Sequence, residues 1–120
     1  MDSKQRVAVA FLCGCLSNSS SQQYSRVYDY STGVSSPFSI VNNGGNISIY
    51  DYSRRCYLTG REPSFFDYGV SHYISVNRVG DNLFSVFDYN SSSYCSVTCN
   101  SQSISIYDYS VGRYFSFSIS

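Results

Sequence analysis

The chain of 120 residues has no tryptophan, one methionine, two prolines, one histidine and a single lysine, and only 13% of it is charged. Each scarcity excludes something. Eight basic and eight acidic residues cancel. The basic footprint of a nucleic-acid binder is therefore missing, and no nucleic-acid partner is expected. No apolar run reaches the length of a membrane-spanning helix, so no transmembrane segment is expected. There is no Gly-x-Ser-x-Gly elbow, no phosphate loop and no HExxH pair. The lone His72 stands at a loop end, where a solvated side chain is the ordinary reading. A Ser-His-Asp set can be drawn on paper, but any chain this rich in serine allows that. No catalytic residue, metal site or cofactor is expected, and a hydrolase is only a remote alternative.

What is abundant is tyrosine, thirteen residues of it, and aromatics make up 18% of the chain. Asp-Tyr recurs at 29–30, 51–52, 67–68, 88–89 and 108–109. Four copies continue without gaps as Asp-Tyr-x4-Tyr-apolar-Ser/Thr, ending in Tyr57-Leu58-Thr59, Tyr73-Ile74-Ser75, Tyr94-Cys95-Ser96 and Tyr114-Phe115-Ser116. In the first copy Ser35 replaces the second Tyr, and Ser36-Pro37 is expected to interrupt the following strand. A fixed internal period is the mark of a repeat architecture.

The flanks of each repeat alternate with period two. Ser103-Ile104-Ser105-Ile106-Tyr107 precedes one Asp, and Tyr114-Phe115-Ser116-Phe117-Ser118-Ile119 follows its loop. That is the strand pattern, and the four intervening residues make a hairpin loop. Pairing Tyr109 with Tyr114 sets Ile106 against Phe117 and Ile104 against Ile119. Ile, Val, Phe, Leu and Cys then share one face, Tyr and Ser the other. The apolar face is taken as the core.

Five such hairpins give about ten strands. Asn42-Asn43-Gly44-Gly45, Val79-Gly80-Asp81-Asn82 and Asn100-Ser101-Gln102-Ser103 supply turns between them. Gly60-Arg61-Glu62-Pro63 is a shorter link, where a distortion is expected. The fold class expected is all-β, an antiparallel meander of five tandem hairpins. Edge protection favours a closed barrel or a two-layer sandwich; a hairpin solenoid is the alternative. Residues 24–120 form the single β-repeat domain, and no helix is expected.

Residues 1–23 read as a leader or an N-terminal extension. Lys4 and Arg6 precede the apolar run Val7 to Leu16 and then a polar stretch, the layout of an export signal. Leu12-Cys13-Gly14-Cys15 resembles the lipobox of bacterial lipoproteins, in which Cys15 would be lipidated. Asp2 and the shortness of the run speak against this, and a first strand or a plain extension stays open. The cell envelope or secretion follows if the segment is a signal, the cytoplasm otherwise. Of the five cysteines, Cys95 and Cys99 lie about 13 Å apart on one strand, too far to share a zinc or a disulfide. The thiols are read as small apolar side chains. A Cys56 nucleophile with its pKa lowered by Arg54 and Arg55 is conceivable.

Two groups of residues are singled out. Asp29, Asp51, Asp67, Asp88 and Asp108 fall at strand ends and are read as turn caps, accepting hydrogen bonds from loop N–H groups. Tyr50, Tyr52, Tyr57, Tyr89, Tyr94, Tyr107, Tyr109 and Tyr114 share the outer face. That surface suits a glycan, a cell wall or a protein partner. A binding module is the first expectation. A structural protein that self-associates, as a homo-oligomer, through sheet edges or aromatic faces is the second.

Ile47-Ser48-Ile49-Tyr50-Asp51-Tyr52, Pro63-Ser64-Phe65-Phe66-Asp67-Tyr68 and Ile104-Ser105-Ile106-Tyr107-Asp108-Tyr109 carry a resemblance. From Tyr28 to Ser120 the chain resembles uncharacterised small bacterial proteins with tandem hairpin repeats. The resemblance implies a bacterial repeat β-protein and no activity.

Overall fold

In the computed structural model, which describes residues 1–18 and 23–120, ten antiparallel strands close into a barrel around one helix. The strands are β1 (Arg26–Asp29), β2 (Val34–Asn43), β3 (Asn46–Asp51), β4 (Cys56–Arg61), β5 (Ser64–Asp67), β6 (His72–Gly80), β7 (Leu83–Asp88), β8 (Ser93–Asn100), β9 (Ser103–Asp108) and β10 (Arg113–Ile119). Each pairs with its neighbours in sequence, and β1 pairs with β10 to close the ring. The barrel is thus the closed form among the expected alternatives. Among the described residues every strand is paired on both sides.

Period-two burial follows the sequence pattern. Along β9, Ile104, Ile106 and Asp108 are buried, while Ser103, Ser105 and Tyr107 are not. β3 and β7 repeat the same alternation. The register, however, differs from the expected one by two residues. Tyr107 pairs with Tyr114, Ile106 with Phe115 and Ile104 with Phe117. A two-residue slip keeps every side chain on its own face, so the hydrophobic pattern cannot distinguish the two. The loop is therefore Tyr109–Gly112, and Asp108 closes the strand opposite Arg113. Pro37 does not interrupt β2: it lies within the strand, and its carbonyl accepts a hydrogen bond from the Tyr52 N–H at 3.3 Å. The short link at Gly60 does distort. Gly60 adopts φ +155°, and a Cβ there would run into the Ser64 carbonyl oxygen.

The expectation of no helix is wrong. Residues Ser3–Ser17 form α1, which threads the barrel. Asp2 is its N-cap and accepts from the Gln5 N–H at 2.7 Å, the usual use of Asp at this position. Gln5 through Gly14 are all buried. The apolar run has no polar face because strands surround it on all sides, which is how a fully enclosed helix reads in sequence. Packing against the wall replaces the intrinsic stability that so short a helix lacks. About eight strands enclose a space that their own side chains can fill. Ten enclose more, and α1 occupies the excess. Phe11 stacks on Phe38 of β2 with ring centroids 4.7 Å apart. Gly14 lets the helix approach β10 closely, since a Cβ there would meet Ile119 Cδ1 at 2.7 Å. The expected leader or extension thus includes this core helix; the part of that expectation covering residues 19–22 lies outside the described residues.

The odd-numbered strands all end in Asp, so the five Asp-Tyr loops crowd one rim of the barrel. The helix enters at this Asp rim and leaves at the other. There Arg78 donates to the Leu16 carbonyl at 3.1 Å, and Asn18 to the Ser101 carbonyl at 3.0 Å. The fourth residue of every Asp-Tyr loop has positive φ: Gly33, Arg55, Ser71, Ser92 and Gly112. Only two are glycine, so three loops carry left-handed strain that glycine would relieve. Ser71→Gly together with Ser92→Gly should stabilise by about 1 kcal/mol in all, raising Tm by about 5 °C. Gly112→Ser should lower it. Thermal melts followed by circular dichroism check both signs.

Candidate functional site

Two surfaces meet at the Asp rim, an inner ring of carboxylates and an outer ring of aromatics. The inner ring is built by the repeat. Asp29, Asp51, Asp67, Asp88 and Asp108 are between 0% and 4% exposed. Each Oδ1 accepts from the backbone N–H two residues on: Ser31, Ser53, Gly69, Asn90 and Ser110, at 2.9 to 3.1 Å. A short acceptor at the strand end that captures a loop donor is the physical content of an Asx turn. It places the carboxylates in turn-capping geometry.

Buried carboxylates also need countercharge. Asp108 receives it from the helix. Arg6 donates to Asp108 Oδ2 at 2.9 Å, its guanidinium stacked 3.8 Å from the centre of the Phe115 ring. Burial pushes the Asp108 pKa up, but the Ser110 hydroxyl and N–H, Arg6 and the N-terminal amine outweigh it, leaving the group below the usual carboxylate range. Arg54 serves two repeats at once. Its Nε donates to Asp51 at 2.7 Å and its Nη1 to Asp67 at 3.1 Å. Gly69 makes room for it, since a Cβ there would stand 2.5 Å from Arg54 Nη1. Asp29 and Asp88 make no ion pair among the described residues.

The outer ring consists of aromatic clusters, one per hairpin. Tyr50 packs edge-on against Tyr52 and Tyr57, and Tyr107 against Tyr109 and Tyr114, with centroids 4.7 to 4.8 Å apart. Phe66 and Phe87 take the central place in their units, flanked by Tyr68 and Tyr73, and by Tyr89 and Tyr94. The first hairpin keeps only Tyr28 and Tyr30, because Ser35 pairs where the third ring would stand. Such edge-to-face contacts stabilise the hairpins. They do not cover the flanking rings: Tyr52, Tyr57, Tyr89, Tyr94, Tyr109 and Tyr114 remain half or more exposed. Tyr50 and Tyr107 are the half-buried centres.

Between clusters the outer face carries hydroxyls. Ser85 pairs with Ser96, Thr98 with Ser105, and Ser105 with Ser116. The result is two grooves side by side. One of about 520 Å³ is bordered by Ser85, Ser93, Tyr94, Ser96, Tyr109 and Ser110. The other, about 420 Å³, is bordered by Ser96, Thr98, Ser105, Tyr107, Tyr109 and Tyr114. Tyr109 belongs to both. Sequence reasoning put Tyr and Ser together on the outer face; it named the individual tyrosines but not the serines and the threonine that border the grooves.

The remaining candidates are dispersed. All five thiols are free. Burial pushes Cys95 up to about 12 and Cys99 to about 11, which removes thiolate character. The conceived activation of Cys56 fails for the same reason: burial raises its pKa, and Arg54 only partly offsets this. Cys15, near the end of α1, is partly buried against the core, and burial raises its thiol to about 12. His72 is exposed at the start of β6. Among the described residues no group of His, Cys, Asp and Glu is placed to hold a metal, and no helix is long and apolar enough to cross a membrane.

Comparison with known proteins returned nothing: no family model, curated protein or solved structure matches the chain. The geometry alone carries the functional reading.

The Arg6–Asp108 pair has a pH signature. Arg6→Gln should cost about 3 kcal/mol at pH 7, because it strands a buried carboxylate. Asp108 has a depressed folded pKa. Its stabilisation is therefore complete above the unfolded value and is lost as pH falls through the folded one, from about pH 4 downward. The gap between variant and native protein should narrow over that range in urea unfolding. A gap independent of pH would rule the linkage out.

Proposed function

We propose that the protein is a non-catalytic binding module whose outer Tyr/Ser face takes neutral carbohydrate, of the kind a cell wall presents. The observation that carries this reading is the pair of adjoining grooves, walled by exposed tyrosines and floored by serine and threonine hydroxyls. A sugar has an apolar C–H face and a rim of hydroxyls. A tyrosine ring covers the first, while Ser and Thr, each both donor and acceptor, satisfy the second. The borders of both grooves carry no charged side chain, which suits a neutral ligand. Tyrosine contributes contact area with little loss of rotamer freedom.

Without tryptophan, intrinsic fluorescence reports the tyrosines directly. A panel of neutral oligosaccharides should contain ligands that change this signal saturably. Tyr109→Ala, which opens both grooves, should weaken their binding about tenfold or more while leaving the far-ultraviolet circular dichroism unchanged. Silence across the panel, or binding indifferent to Tyr109→Ala and Tyr94→Ala, would count against the proposal. A dimer seen by light scattering and dissolved by the same variants would favour self-association through the aromatic face instead.

A further inference from the structure

Arg54 marks one place in a repeating pattern. It is the third residue of the second Asp-Tyr loop, and it joins its own Asp51 to Asp67 of the next hairpin. One step earlier in the ring the same place is held by Thr32, too short to join Asp29 to Asp51. Between those two carboxylates, where an arginine would fit, lies a pocket of about 280 Å³. That is far more than a single water occupies, about 30 Å³ in the liquid.

Asp29 itself points to what belongs there. It is 4% exposed and borders the pocket. Its Oδ1 accepts from the Ser31 N–H and hydroxyl at 2.9 and 2.7 Å. Its Oδ2 accepts no hydrogen bond among the described residues, and the side chain makes no ion pair there. This oxygen is not sealed among the buried atoms that lack a partner, and is free to meet a cation that enters the pocket. Asp88, also without a cation, differs: Asn90 and Ser91 satisfy both its oxygens. Val7 of α1 and Val34 of β2 add apolar wall to the pocket beside Asp29. An alkyl stem can lie against such a wall while its charged head reaches the carboxylate.

We propose that this pocket binds an alkyl guanidinium group, the chemistry of an arginine side chain, in the place that Arg54 fills in the neighbouring repeat. Asp29 accepts the guanidinium fork through Oδ2, and Asp51, already held by Arg54 through its own Oδ2, adds negative potential from the other side. The site lies inside the Asp rim and is separate from the Tyr/Ser grooves. Lys4 also borders the pocket without reaching Asp29, and is the native group most able to compete.

The test is an amide-shift titration of the full chain with agmatine, for a small guanidine, and with acetyl-Gly-Arg-Gly-amide, for a polypeptide arginine. Saturable shifts confined to residues 29–36, residues 51–53 and the first two turns of α1 are expected with at least one probe. Which probe binds more tightly distinguishes the two sources. Asp29→Asn keeps the turn-capping oxygen but removes the charge, and should weaken binding about tenfold or more. Thr32→Arg should supply the group from within the chain, abolishing binding and raising Tm. No saturable shift in the native protein would overturn the proposal, as would affinity unchanged by Asp29→Asn. Binding that emerges only in Lys4→Ala would also overturn it, because the chain's own lysine would then be the occupant.

Discussion

A ten-stranded barrel has more room inside than its own inward side chains can fill, and the rest of this structure depends on how that room is used. Val7 to Gly14 fill it as a helix enclosed on every side. The wall can then close, with β10 meeting β1. Closure removes the sheet edges, and with them the simplest route to aggregation in a chain that otherwise alternates serine with branched and aromatic residues. The helix also brings the one arginine that reaches Asp108. Filling the barrel and neutralising its rim are therefore linked tasks, performed by a single segment.

The repeat and its exceptions divide the labour. The Asp-Tyr unit supplies what every hairpin needs: a carboxylate that caps the turn, a left-handed residue that closes it, and aromatic rings that pack across the strands outside. The unique residues decide what each copy does beyond folding. Arg54 binds two repeats together through Asp51 and Asp67. Thr32 leaves the equivalent place open, and Ser35 removes one ring from the first cluster. A quasi-symmetric scaffold makes such departures readable, because each is seen against four copies of the same arrangement.

Much of this was legible in the sequence. Period-two alternation identified the strands and their inner face, and the Asp at each strand end anticipated the carboxylate geometry at the rim. The register was not legible. Ile106 opposite Phe115 and Ile106 opposite Phe117 satisfy the same facial rule, so the slip is decided by where the Asx turn closes. The helix was not legible: a run as short as Val7 to Leu16 with no polar face argues against an exposed amphipathic helix, and it is complete enclosure that makes such a run helical. Asp2 was the better clue: it is odd in a leader and ordinary as an N-cap. Cys56 was set aside on the sequence, where no catalytic residue is expected; burial raises its thiol, and Arg54, which also pairs with Asp51 and Asp67, only partly offsets this.

The central claim is that the barrel stands only with its helix inside. Deleting residues 1–17 and recording an amide correlation spectrum with a urea titration tests it most directly. The account predicts collapsed chemical-shift dispersion and loss of the cooperative transition, partly restored when a peptide of residues 1–17 is added. A truncated chain that kept its dispersed spectrum and a sharp unfolding transition would contradict it.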